Sequence, residues 1–87
     1  MRWIDAPIWV KTGRFIKWAR VFRNYTQGEL AMKSGIELKL LRKIEKGAYR
    51  DITIEQAYRV ALTLGCEVEE IIPLLTPRHM HKKYVLA

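Results

Sequence analysis

Lys39, Arg42, Lys43 and Lys46 recur at intervals of three and four residues. On an α-helix of 3.6 residues per turn that spacing gathers all four on one side. Leu41 and Ile44, set between them, fall on the opposite side. Charged lysine and arginine heads carry only hydrogen-bond donors, so such a side offers no acceptor. It suits an anionic, acceptor-rich surface, and a narrow cationic helix is the shape that enters a DNA groove.

The elements that must position these cations are written on either side of them. Thr26, followed three residues later by Glu29, forms a T-x-x-E capping box. Its hydroxyl can accept from the Glu29 amide while the Glu29 carboxylate reaches back to the Thr26 amide. Leu30 and Ala31 give this first helix an inner side. Gly35 supplies the backbone freedom that ends it, and Ile36 resumes the apolar face. A second helix then carries Leu41 and Ile44 inward and stops at Gly47. The pattern predicts helix, tight turn and helix over 26–47, with the helices near 27–33 and 38–46.

Thr26-Gln27, Glu29-Leu30-Ala31, Gly35 and Ile44-Glu45-Lys46-Gly47 together follow the pattern TQ-x-ELA-x(3)-G-x(8)-IE-x-G. This resembles the lambda-repressor/Cro (Xre) class of helix-turn-helix proteins, and the resemblance runs from about Ile16 to about Ile72. It implies an all-α fold of five helices, a small transcriptional regulator of repressor type, and sequence-specific double-stranded DNA as partner. By the same resemblance the helix around 38–46 enters the major groove, with Leu38, Lys39, Arg42 and Lys43 as the base readers. Lys39 and Lys43 can donate to guanine, Arg42 can do so in a bidentate way, and Leu38 can touch a thymine methyl. Gln27 matches the family glutamine that holds a backbone phosphate, and Lys17, Arg23, Lys46 and Arg50 are further phosphate candidates. Arg20 stands where the family has an arginine paired to the glutamate of I-E-x-G, here Glu45. That pairing is read as structural, fixing how two helices cross.

The chain departs from the family pattern at two places. Glu37 occupies the cap of the recognition helix, where Ser or Thr is usual; its carboxylate favours the helix dipole but repels phosphates. Leu38 and Leu40 flank Lys39 and make the helix start apolar, so a second reading stays open in which this surface receives a protein, such as another repressor.

The composition agrees with a nucleic-acid partner. The 87 residues make one small domain, and 16 Lys and Arg against 9 Asp and Glu leave a net charge of +7. Hydrophobic content of 49% and charged content of 29% are those of a folded protein. No apolar run reaches the roughly 20 residues a membrane span needs, and the start of the chain lacks a signal-peptide core. Cys66 has no second cysteine to pair with, which points to a reducing cytoplasm and a core role.

Around the family match, the chain divides into an N-terminal apolar arm or short helix at 1–12, the helix-turn-helix domain at 13–75 and a basic tail at 76–87. The arm holds Trp3, Ile4, Ile8, Trp9 and Val10, with a helix start at Asp5-Ala6-Pro7 and a break at Thr12-Gly13 before a helix from Gly13 to Arg23. Trp18 and Phe22 sit where the family is polar and are expected to meet this arm. Asn24 suits the left-handed residue after that helix. Thr53 and Gln56 form a second capping pair, and Ile54, Ala57, Val60, Ala61 and Leu64 make an inner stripe ending at Gly65. Val68, Ile71 and Ile72 belong to the last helix, inward. In the tail, His79 and His81 lack a third metal ligand, and Tyr84-Val85-Leu86 is a candidate strand or dimer contact. Monomer and homodimer both stay open.

No phosphate-cradling glycine loop, Cys-x-x-Cys pair or serine-histidine-acid set is present, and no cofactor or small-molecule ligand is implied. An enzyme is not expected.

Overall fold

A computed structural model of the chain describes residues 6–71. Among these residues there are five helices and no strand: α1 (Ile8–Phe22), α2 (Gln27–Ser34), α3 (Leu38–Glu45), α4 (Ile54–Leu64) and α5 (Val68–Ile71). The expected tail and its histidines, together with Trp3, Ile4, Asp5 and Ile72, lie outside the described residues.

Each short helix is bounded by the chemistry of its own ends. At α2 the Glu29 amide donates to Thr26 Oγ1 (3.1 Å) and the Thr26 amide donates to Glu29 Oε1 (2.8 Å). At α4 the Gln56 amide donates to Thr53 Oγ1 and the Thr53 amide to Gln56 Oε1, both at 3.0 Å. The far end of α1 closes over left-handed Asn24 (φ 59°), where the Tyr25 amide donates back to the Arg20 carbonyl at 3.1 Å. The same closure recurs where Ile36 donates to Ala31, Ala48 to Lys43 and Cys66 to Ala61, at 2.9 to 3.0 Å. Of these, Gly35 (φ 73°) matters most, because it sets the angle between α2 and α3.

The amide of Thr26 and the Thr26 hydroxyl hold the Glu29 carboxyl below its ordinary range. A carboxyl whose folded pKa is depressed stabilises the fold above its unfolded pKa, and that contribution is lost as pH falls through the folded value. Glu29→Ala is therefore expected to destabilise at neutral pH, and to do so progressively less at an acid pH below the ordinary carboxylate range. Gln56→Ala, at the equivalent position of α4, should not follow that pH course. Urea unfolding at the two pH values checks both.

Ile16, Leu30, Leu41, Ile44, Val60, Leu64, Val68 and Ile71 are fully buried and draw all five helices onto one core. The α1–α3 crossing is the most extensive. Helix α1 begins at Ile8, so Thr12 and Gly13 lie inside it and do not form the expected break, and residues 8–12 are continuous with the helix expected from Gly13. Both residues are buried for a tertiary reason. The Thr12 hydroxyl donates to the Ile71 carbonyl at 2.9 Å, satisfying the end of α5. Gly13 lets α1 lie directly on the end of α3: a Cβ there would stand 1.9 Å from the Ile44 carbonyl oxygen.

Trp18 and Phe22, expected to meet the arm, are 60% and 70% exposed; Ile8, Trp9 and Val10 run on along α1, and Trp3 and Ile4, with which that expectation stands, lie outside the described residues. Cys66 is half-buried against the core, as a small apolar residue would be, and burial first, then Glu70, pushes its thiol pKa up.

Candidate nucleic-acid interface

Helix α3 turns Leu41, Ile44 and Glu45 into the protein and leaves Lys39, Arg42, Lys43 and Lys46 exposed. From Lys39 to Lys46 the cationic side runs about 10 Å along the axis, at 1.5 Å per residue. That is comparable with the roughly 12 Å width of the B-DNA major groove. Arg42 and Lys43 occupy the last turn of α3, where positive charge also complements the helix dipole.

One end of this helix is fixed by a hydrogen-bonded cluster. Arg20 Nε–H donates to Glu45 Oε2 at 2.7 Å and Nη2–H to Oε1 at 3.0 Å, a two-point pair with side chains only 11% and 2% exposed. Arg20 Nη1–H donates to the Tyr25 carbonyl at 2.8 Å, so the same guanidinium also holds the turn between α1 and α2. Gln27 Nε2–H donates to Glu45 Oε1 at 3.1 Å. The Gln27 side-chain amide is thereby oriented by α3 while its second N–H and its carbonyl oxygen remain for another group.

Gln27 opens α2, and the first-turn amides of Gln27 and Gly28 have no acceptor within the helix by geometry. Gly28 is exposed with open space where a side chain would begin, its nearest neighbour being Thr26 Oγ1 at 3.9 Å. An anion can reach this backbone closely, and a helix start favours one.

The other expected contact residues divide. Lys17 lies on α1 beside Lys46 and Gly47, on the rim of a shared groove, and Arg50 is exposed in the loop after α3. Arg23 is exposed at the end of α1, where its Nη1–H donates to the Ala19 carbonyl at 3.5 Å. Leu38 and Leu40 are half-buried and pack against the core, so they do not form the free apolar surface that the sequence suggests. Glu37 caps α3 in extended conformation (φ −60°, ψ 139°), makes no side-chain capping bond and is exposed. Ser34, the one serine of the chain, is buried and donates to the Leu30 carbonyl at 2.6 Å. Among the described residues no group of three or more His, Cys, Asp or Glu side chains is placed to hold a metal. None of the described helices is long and apolar enough to cross a membrane.

Two features of this site had no direct signal in the local pattern. The Gln27–Glu45 bond joins residues 18 apart in the chain, and the close approach at Gly13 is to backbone atoms of Ile44 on another helix.

A family model described as "Helix-turn-helix" matches residues 16–71. An uncharacterized HTH-type transcriptional regulator of Methanocaldococcus jannaschii is 36% identical over 56 residues, 64% of this chain and 83% of that protein. The HTH-type transcriptional regulator SlrR of Bacillus subtilis is 32% identical over 59 residues, 68% of this chain but only 39% of SlrR. Among solved structures, SinR, the master regulator for biofilm formation, in complex with DNA superposes with a TM-score of 0.67 and 28% identity, covering 69% of this chain and 95% of that one. The SinR/SinI protein complex gives a TM-score of 0.68 and 26% identity, covering 86% and 75%.

Proposed function

Because the chain belongs to the helix-turn-helix family of lambda-repressor type, we propose that it is a transcriptional regulator that binds double-stranded DNA through α3 in the major groove. The observation that carries this reading is the exposed side of α3, where four cations stand over a helix whose other side is locked into the core. Lys39, Arg42 and Lys43 read bases, and the exposed edge of Leu38 meets a thymine methyl. Gln27, Lys17, Lys46 and Arg50 take phosphates and set the register. Arg23 is the weakest member of the phosphate set, since its guanidinium is engaged at the end of α1. The regulator acts in the cytoplasm as a repressor, without catalysis or cofactor.

Arg20 and Glu45 have a positioning role on this reading. The pair fixes α3 against α1, and Glu45 also holds Gln27 at the start of α2. The phosphate-binding amide and the base-reading helix are thus tied to one buried carboxylate.

Lys46→Ala and Arg50→Ala are expected to weaken binding to all duplexes alike and to reduce the slope of log affinity against log salt by about one unit each. Fluorescence anisotropy with specific and random duplexes over a salt series measures this. An unchanged slope in both variants would remove them from the phosphate set.

A further inference from the structure

Trp18, Val21 and Phe22 are 60%, 56% and 70% exposed and stand together on the outer side of α1. Their arrangement is ordered. The Trp18 and Phe22 rings stack with centroids 5.6 Å apart, and Phe15 lies against Trp18 at 5.9 Å. Val10, Trp18, Val21 and Phe22 form the apolar part of a groove of about 660 Å³ between α1 and the end of α3. Arg14, Lys17 and Lys46 also line it; the one acid there, Glu45, is already committed to Arg20 and Gln27. Exposed aromatic surface of this kind is unusual on a small protein that meets nothing but water.

We propose that this groove is the docking site for an acidic amphipathic helix of a partner protein. The lining runs along α1 from Val10 to Phe22, about 18 Å at 1.5 Å per residue, which matches a helix of roughly three turns. The partner's apolar side chains cover Trp18 and Phe22, and its carboxylates meet the cationic lining. Among the described residues there is no strand edge to which an extended peptide could add.

Charge argues against the other occupants. A twofold contact through this groove would set its cations against the same cations of the second copy. The chain's own segment 78–83 contains Arg78, His79, His81, Lys82 and Lys83, and is repelled for the same reason. Duplex DNA would meet the cations but leave the stacked rings uncovered.

The test is selection of random peptides of about 15 residues, displayed on phage, against the full chain and against its Trp18→Ala/Phe22→Ala double variant. Enriched peptides should be rich in Asp and Glu and carry apolar residues at helical spacing. Synthesised singly, they should bind one to one, more weakly as salt rises, and about tenfold or more weakly to the double variant. The variant should keep the wild-type melting temperature and DNA affinity, because neither ring is in the core or in the DNA-contacting set.

Four results would overturn the proposal. One is no enrichment. Another is enriched peptides that are basic or lack helical spacing. A third is equal affinity for the double variant, which would place the acidic peptides on the DNA-binding cations instead. The last is a nuclear Overhauser contact between Trp18 and Trp3 or Ile4, or self-association abolished by Phe22→Ala, showing that the chain itself covers the groove.

Discussion

Glu45→Ala is expected to lower stability by about 3–5 kcal/mol, a large part of the 5–15 kcal/mol typical of a whole domain. The magnitude follows from what the substitution leaves behind. Arg20 would keep only its bond to the Tyr25 carbonyl, with most of a buried guanidinium unpaired. Gln27 would lose its acceptor at the same time. Arg20→Ala should cost a similar amount, since the Glu45 side chain is almost wholly buried and would retain only the Gln27 amide. The pair is not for that reason a large net source of stability, because desolvating two charges offsets most of their attraction. Removing both partners should therefore cost less than the sum of the single losses. Urea unfolding of the two singles and the double measures the coupling. Additive effects near zero would mean that the pair is open to water.

Gly13→Ala is expected to be as damaging, although alanine is the better helix former by about 1 kcal/mol. The added Cβ would lie 1.9 Å from Ile44 O, 3.0 Å from Ile44 C and 3.4 Å from Glu45 Cα. All three atoms are backbone, so no side-chain rotation relieves the overlap and α1 must lift off α3. Overpacking costs about 1–3 kcal/mol where side chains can give way, and the upper end or beyond applies where they cannot. We expect a net loss of about 3 kcal/mol. Gly28→Ala is the control: it is also helical, but nothing stands closer than 3.9 Å to its Cβ. It should be neutral or stabilising by up to about 1 kcal/mol. Thermal melts of the two variants give opposite signs if the α1–α3 approach is as close as described.

These two positions also mark where reading the chain residue by residue reaches its end. Helix boundaries were legible because their causes are local. Thr26 with Glu29, Thr53 with Gln56, and the left-handed residues Asn24, Gly35 and Gly65 act within a few positions of themselves. Thr12-Gly13 was misread as a break because both residues answer to distant partners. Thr12 bonds Ile71, 59 residues away, and Gly13 makes room for Ile44.

The interface shows the same division. Helical spacing alone separated the exposed cations Lys39, Arg42, Lys43 and Lys46 from buried Leu41 and Ile44. It could not tell that Leu38 and Leu40 are drawn partly inward, since they share the start of α3 with exposed Lys39 and only the neighbouring helices decide how wide the buried side is. Nor could it show that Arg23 donates to the Ala19 carbonyl, or that Trp18 and Phe22 stand exposed on α1. The Arg20–Glu45 pair entered through family resemblance, and its link to Gln27 is visible only in the folded chain.

If α3 reads bases as proposed, selection of bound sequences from random duplexes with the wild type, Lys39→Ala and Arg42→Ala, each at two salt concentrations, should yield a defined site for the wild type. Each variant should lose preference at one base position by roughly 1–3 kcal/mol of discrimination while keeping the rest of the site. Binding that is uniformly weaker across all sequences, or a wild type that selects no site and retains DNA only at low salt, would contradict that reading.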